Sequence, residues 1–188
     1  MVIDLTSEVI SSVEKINMST RWDSNPAISP DGSTIAFTSN RGGPHAIWLS
    51  GLNGDAVYQG GSLGGAFLDN PAWSPNGQQL VFDASPDGEM QLYIKSEGGS
   101  ALERLSVGPS DNRNPSWSRD GKWIYFESNR EGKWQLYALR SGLSDVVPLN
   151  VIAGRNPQES VDGNWILHTR PDQPGIWRCQ KQKCFGAE

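Results

Sequence analysis

Residues 114–130 read Asn-Pro-Ser-Trp-Ser-Arg-Asp-Gly-Lys-Trp-Ile-Tyr-Phe-Glu-Ser-Asn-Arg, and the same pattern recurs along the chain. It begins again at Asn25, Asn70 and Asn156, so that successive starts are 45, 44 and 42 residues apart. Each unit contains strand-type sequence, whereas the repeats of a helical solenoid show a 3.6-residue period. Repeats of this length with strands inside them predict the blades of a β-propeller.

Each repeat divides into the same parts. The first strand ends at a dipeptide that tolerates the positive φ of a tight hairpin turn, which is Asp31-Gly32, Asn76-Gly77, Asp120-Gly121 or Asp162-Gly163. The second strand alternates, with one apolar face formed by Ile35 and Phe37, Leu80 and Phe82, Ile124 and Phe126, and Ile166 and His168. A third strand carries Ile47-Trp48, Leu92-Tyr93, Leu136-Tyr137 or Ile176-Trp177. A weaker fourth strand is predicted at Ala56–Tyr58, Leu102–Leu105 and Val146–Leu149, as suits a blade edge.

The two ends of the chain suggest how the ring closes. Val13–Ile16 lies before Asn25 at the spacing of a fourth strand, and Ile3–Thr6 before it resembles a third strand, whereas the last repeat has no fourth strand. We therefore expect one domain over residues 1–188, with residues 1–24 as a partial blade whose strand completes the last one. Four four-stranded blades inside one chain are slightly favoured. The alternative is a homodimer in which each chain is half of an eight-bladed ring.

Composition and charge exclude several classes of function. The formal net charge is −5 and the isoelectric point is near 5.1, so we expect no nucleic-acid partner, since such binding needs clustered Lys and Arg. No apolar run approaches the roughly 20 residues that span a bilayer, and residues 1–8 lack the basic start and apolar core of a signal peptide. We expect no membrane insertion; any export signal or anchor would lie outside this chain.

The repeat pattern resembles the PD40 (WD40-like) repeat of TolB-like propellers over roughly residues 14 to 180. Similar blades occur in the propellers of some peptidases and in sensor regions of bacterial transcriptional regulators. The resemblance implies a non-enzymatic binding platform of the periplasm or cell envelope. The last repeat departs from the pattern at two positions. Glu159 stands where the second and third repeats have Trp73 and Trp117, and His168 stands where the other repeats have a Phe. In the peptidases with similar propellers the nucleophile lies in a separate α/β domain, and the repeats leave no length for one here, so the resemblance does not imply a peptidase.

Polar residues precede each Asn-Pro, on loops that should gather around the central channel. The predicted binding residues, for a protein partner or a small ligand, are Arg21, Trp22, Asp23, Asp69, Asp111, Arg113 and Arg155. Exposed Trp22 and Arg113 are natural anchors for a protein. The alternative is that each Asp or Asn only caps a local turn. Asp23, Asp69 and Asp111 could also converge on a cation, but their spacing matches no known loop signature, so we predict no metal.

The remaining chemistry-bearing residues are few. His168 lies in an apolar strand column and is read as a core residue, and His45 has no acidic or nucleophilic neighbour fixed by spacing. We predict no catalytic residues and no cofactor. Cys179 and Cys184, with four polar residues between them, are either a disulfide or two free thiols. Two other hypotheses stay open: a sugar-binding or polysaccharide-processing propeller, and a fragment of a larger regulator or peptidase.

Overall fold

The computed structural model describes residues 16, 19–99, 101–106, 108–151 and 153–186. These form a four-blade, all-β propeller, in which the strands of each blade pair antiparallel in sequence order. Blade 1 contains Asp23–Ile28 (β1), Thr34–Ser39 (β2), Ala46–Gly51 (β3) and Tyr58–Gly61 (β4). Blade 2 contains Phe67–Trp73 (β5), Gln79–Ser85 (β6), Gln91–Ser96 (β7) and Leu102–Arg104 (β8). Blade 3 contains Asn112–Trp117 (β9), Trp123–Ser128 (β10), Gln135–Arg140 (β11) and Val146–Pro148 (β12). Blade 4 contains Arg155–Glu159 (β13), Trp165–Thr169 (β14) and Ile176–Gln180 (β15), followed by one helical turn, Lys181–Cys184 (α1).

The repeat alignment predicted the type and order of these strands correctly. The position of one strand was wrong: the fourth strand of blade 1 was expected at Ala56–Tyr58 but runs from Tyr58 to Gly61. Ala56 has a φ of 49°, which belongs to a turn rather than to a strand. The segment that follows β15 contains the helical turn α1.

The hydrophobic core lies between blades rather than inside any one of them. Side chains from facing sheets of neighbouring blades form three buried clusters, one at each junction. At the junction of blades 2 and 3, Trp117 packs with Val81, Ile94, Ile124 and Leu139. Trp117 is 9% exposed. Trp73 is half-buried at the equivalent place, where its Nε1–H donates to the Ala27 carbonyl at 3.1 Å.

Blade 4 replaces the aromatic side chain with a buried polar cluster. The Glu159 carboxylate accepts the Tyr125 hydroxyl at 2.6 Å and lies 3.2 Å from the Lys181 ammonium group of α1. Cys179 and Cys184 form a disulfide that joins β15 to α1. The two chain-terminal elements of blade 4 are thereby tied to blade 3, because Cys184 packs in the same apolar cluster as Tyr125.

The outermost interblade faces carry exposed apolar side chains. Ile28 of blade 1 is 60% exposed, and Ile176 of blade 4 is 80% exposed, although its counterparts Ile47, Leu92 and Leu136 are fully buried. The predicted closing strand, Val13–Ile16, and the preceding Ile3–Thr6 lie outside the described residues, apart from Ile16. Blade 4 has three strands among the described residues. Closure within one chain and closure between two chains both stay predictions.

Candidate binding site

The Asn of every Asn-Pro pair has a left-handed backbone. Its φ lies between 50 and 53° at Asn25, Asn70, Asn114 and Asn156. Asn is one of the few residues that adopt this conformation readily. In blade 1 the pairing with β2 passes from Ser24 opposite Thr38 to Ala27 opposite Ala36, so the Asn-Pro pair forms a β-bulge opposite a single residue. Proline fits such a bulge because it has no N–H to pair.

The bulges turn polar groups of the innermost strands toward the neighbouring blade. Asp83 accepts the Asn70 side-chain amide at 2.9 Å and the Asn114 backbone N–H at 2.8 Å. Glu127 repeats this arrangement one blade further on, accepting the Asn114 side-chain amide at 2.8 Å and the Asn156 backbone N–H at 3.3 Å. Each carboxylate therefore joins two blades. We call this row of Asn and acidic side chains the inner ladder.

Blade 1 continues the inner ladder with different residues. Asp69 of blade 2 accepts both the Asn25 side-chain amide and the Thr38 hydroxyl at 2.7 Å. Thr38 lies thirteen residues after its repeat's Asn, as Asp83 and Glu127 do after theirs. This polar column was not predicted from the sequence, although alternation along the second strand could have revealed it.

Burial perturbs the carboxyl groups of the inner ladder. Asp83 is fully buried, and this burial raises its pKa to about 7, with the nearby Asp69 charge adding to the rise. The hydrogen bonds from Asn70 and Asn114 oppose the rise but do not offset it. The Asp83 Oδ1 has no hydrogen-bond partner among the described residues. Burial also raises the pKa of Glu127, against the opposing charge of Arg155.

The axial face on which the innermost strands begin is formed by residues 21–24, 67–69, 111–113 and 153–155, and we call it the entry face. Three predicted binding residues, Asp69, Arg113 and Arg155, directly precede the Asn of three successive blades. Arg113 and Arg155 both stack on Trp134, with each guanidinium carbon 5.0 Å from the ring centroid. Trp134 was not predicted as a site residue, because it lies just before a third strand and matches no motif.

The other predicted residues take part in blade structure to different degrees. Asp23 forms an ion pair with Arg41 at 3.0 Å. Asp111 accepts the Met90 backbone N–H at 2.9 Å and pairs with Arg113 at 2.7 Å. Trp22 is 82% exposed, with its backbone tied to Asn40. Arg21 is exposed beside it. Asp23 and Asp111 are thus held in ion pairs, whereas the side chains of Arg21 and Trp22 are exposed.

The opposite axial face carries the Asp-Gly and Asn-Gly turns, and we call it the hairpin face. It has a cleft of about 480 Å³ between blades 1 and 2. Tyr58 and Trp73 line it together with the polar side chains of Asp31, Asn76 and Lys95. Among the described residues, no three His, Cys, Asp or Glu side chains meet in a way that could hold a metal ion. Nor does that part of the chain contain a helix long and apolar enough to cross a bilayer.

These features define a β-propeller whose innermost strands are fastened by Asn and acidic side chains below a charged entry face. The chain belongs to the PD40 family, the TolB beta propeller domain, whose family model matches residues 61–184. No curated protein sequence matches it.

Several solved structures share this fold. A putative TolB from Agrobacterium tumefaciens is 22% identical with a TM-score of 0.76, over 88% of this chain and 68% of that one. TolB from Acinetobacter baumannii is 21% identical with a TM-score of 0.69, over 85% of this chain and 44% of that one. A puromycin-hydrolysing peptidase from Mycobacterium tuberculosis is 17% identical with a TM-score of 0.70, over 89% of this chain and 28% of that one. The likeness to all three concerns the fold.

Proposed function

We propose that this propeller is a non-enzymatic interaction or sensor module whose ligand, a protein segment, binds the entry face. One observation carries the proposal: Asp69, Arg113 and Arg155 present charges on three adjacent innermost strands that the inner ladder fixes in position. Loops held by a rigid scaffold are the usual place for binding. Charges fixed before binding lower the entropy cost of association.

Exposed Trp22 strengthens the case for a protein ligand. Its side chain is largely in solvent, while its backbone N–H donates to the Asn40 side chain at 3.2 Å. A large aromatic ring on a fixed backbone provides contact area at low conformational cost, and Trp and Arg dominate the energetics of protein interfaces. The resemblance to TolB-like propellers supports the same reading and suggests the periplasm or cell envelope as the location.

The chain's acid and base groups support a role without catalysis. His45 stacks on Phe67 with ring centroids 4.8 Å apart. His168 is buried, its Nδ1 lies 3.2 Å from the Thr169 carbonyl, and burial lowers its pKa. Asp83 is committed to the inner ladder. Each group is thus accounted for by blade structure.

The test is selection of binding peptides from a random library displayed on phage, followed by affinity measurement on two exposed-aromatic variants. Trp22→Ala on the entry face should weaken binding of selected peptides at least tenfold, since anchors of this kind are worth about 2 kcal/mol or more. Tyr58→Ala on the hairpin face is the matched control and should leave affinity unchanged. If the selected peptides bind the Tyr58→Ala variant more weakly and the Trp22→Ala variant as tightly as the unaltered chain, the binding site lies on the hairpin face and the proposal is overturned.

A second candidate function is carbohydrate binding in the cleft between blades 1 and 2. The observation that favours it is the pairing of Tyr58 and Trp73 with planar polar side chains in a space of sugar size. Calorimetric titration with neutral and acidic oligosaccharides tests it: saturable binding abolished by Tyr58→Ala supports this function. Turnover of a polyuronate that disappears with His168→Ala would show an enzyme instead.

A further inference from the structure

The joint between blades 3 and 4 carries a stack of three side chains at the entry face. The guanidinium carbons of Arg113 and Arg155 each lie 5.0 Å from the Trp134 ring centroid. The Trp134 carbonyl also accepts the Gly154 backbone N–H at 3.4 Å, which ties this loop of blade 3 to the start of blade 4. The indole therefore holds one guanidinium from each blade in a fixed orientation.

The two guanidinium groups differ in their partners. Arg113 donates to Asp111 at 2.7 Å, so its charge is offset within the chain. Arg155 forms no ion pair with any described residue, and its buried Nε, like that of Arg113, has no hydrogen-bond partner among them. A buried donor without an acceptor costs free energy and calls for an explanation such as a ligand.

The chain's own acid near this joint does not supply the missing acceptor. The positive charge of Arg155 favours the ionised form of Glu127. The Glu127 oxygens, however, accept hydrogen bonds from Asn114 and Asn156. Stacking on an indole uses the face of a guanidinium and leaves its N–H edge available. Arg155 is thus half-buried and held in a fixed orientation, and its Nε–H has no partner among the described residues.

We propose that Arg155, supported by Trp134 and Arg113, is a carboxylate-binding site that receives an acidic side chain or a C-terminal carboxylate of a partner peptide. This inference rests on the proposed function and names the chemistry that the entry face recognises. A guanidinium matches the two oxygens of a carboxylate through parallel N–H donors. Because Asp111 offsets Arg113 and Glu127 lies near Arg155, the stack carries at most about one positive charge, which suits a singly charged carboxylate better than a doubly charged phosphate.

The experiment is isothermal titration of the full chain with defined probes. Acetyl-Gly-Glu-Asp-Glu-Gly-amide is compared with acetyl-Gly-Gln-Asn-Gln-Gly-amide, which has the same shape and no charge. Acetyl-Gly-Ser-Gly-Ser-Gly with a free carboxyl terminus, and its amide, separate a terminal carboxylate from a side-chain one. We expect at least one carboxylate probe to bind at least tenfold more tightly than its uncharged partner, with affinity falling as salt rises.

Variants of matched charge assign the binding to this stack. Arg155→Gln should weaken the carboxylate probe at least tenfold, and Arg155→Lys should recover part of the loss. Arg178→Gln is the control, because Arg178 also stacks on an indole, that of Trp165 at 4.2 Å, but belongs to β15 rather than to the entry face. This control should bind as the unaltered chain does. In the unaltered chain, the NMR signal of the Arg155 Nε–H should shift with the carboxylate probe and not with its uncharged partner.

Equal losses with Arg155→Gln and Arg178→Gln would show a general charge effect and overturn the assignment, as would equal binding of charged and uncharged probes. Tighter binding of inorganic phosphate than of the carboxylate probes would overturn the carboxylate class. If library-selected peptides bind the entry face and ignore Arg155→Gln, this inference alone fails. If no selected peptide binds that face, the proposed function fails with it.

Discussion

Asp83→Asn tests whether the buried Asp83 carboxyl group of the inner ladder makes the free energy of unfolding depend on pH. Asp83 is fully buried, its Oδ1 lacks a partner among the described residues, and its Oδ2 accepts two hydrogen bonds. The substitution keeps one oxygen to accept from Asn70 and Asn114 and places an amide nitrogen where the unpartnered oxygen lies. It removes the ionisation and leaves the shape of the side chain nearly unchanged.

The magnitude follows from the pKa. Burial raises the pKa of Asp83 from 3.8 to about 7, so ionising it in the folded protein costs on the order of 4 kcal/mol more than in the unfolded chain. A raised pKa means that the folded state holds the proton more tightly. The stabilising contribution of Asp83 is therefore fully present below about pH 4 and is lost as the pH rises through about 7.

The assay is urea denaturation of both proteins at intervals between about pH 4 and pH 8. The free energy of unfolding of the unaltered chain, minus that of Asp83→Asn, should fall by up to about 4 kcal/mol across this range and then level off. Asp31→Asn is the control of opposite sign, because hydrogen bonds from Ser29 and Ser33 lower the pKa of Asp31 to about 2. Its stabilising contribution is fully present above about pH 4 and is lost only as the pH falls through about 2, so the difference for Asp31→Asn should stay constant between pH 4 and pH 8. A difference for Asp83→Asn that does not change with pH would refute the argument.

Three further predictions concern packing and assembly. Trp117→Ala should lower the free energy of unfolding by about 3–5 kcal/mol, because it leaves a cavity between blades 2 and 3; a loss below about 1 kcal/mol in urea denaturation would show that the junction collapses around the site. Tyr125→Phe should cost about 1–3 kcal/mol by removing a donor to the buried Glu159 carboxylate, and the same measurement would contradict this if the variant were as stable as the unaltered chain. Light scattering should give a mass near 20.6 kDa, as expected for a monomer; a mass near twice this value, lost when residues 1–17 are deleted, would support closure between two chains.

The repeat was readable from sequence because its signals are local. Asp-Gly turns and the alternation of Ile124 and Phe126 act within one hairpin, so four aligned copies give the blades and their order. The wrongly predicted position of β4 has a local cause as well, because Ala56 adopts a positive φ that its residue type does not suggest.

The candidate site was predictable only in part because it is built between blades. Arg113 and Arg155 were recognised from their place before Asn-Pro. Trp134, which contacts both, lies about 20 residues from each of them in the sequence and matches no motif. Asp83 and Glu127 were overlooked because one partner of each, Asn114 or Asn156, belongs to the next repeat. Glu159 looked like a defect in the pattern, although its partners Tyr125 and Lys181 make it a buried replacement for the aromatic ring.

Hydrogen–deuterium exchange with and without a library-selected peptide is the most direct test that the entry face is the binding face. We predict slower exchange on binding at residues 67–70, 111–114 and 153–156, where the innermost strands begin. Exchange at the turns of the hairpin face, residues 30–33, 75–78 and 119–122, should stay unchanged. Protection confined to those turns would contradict the account.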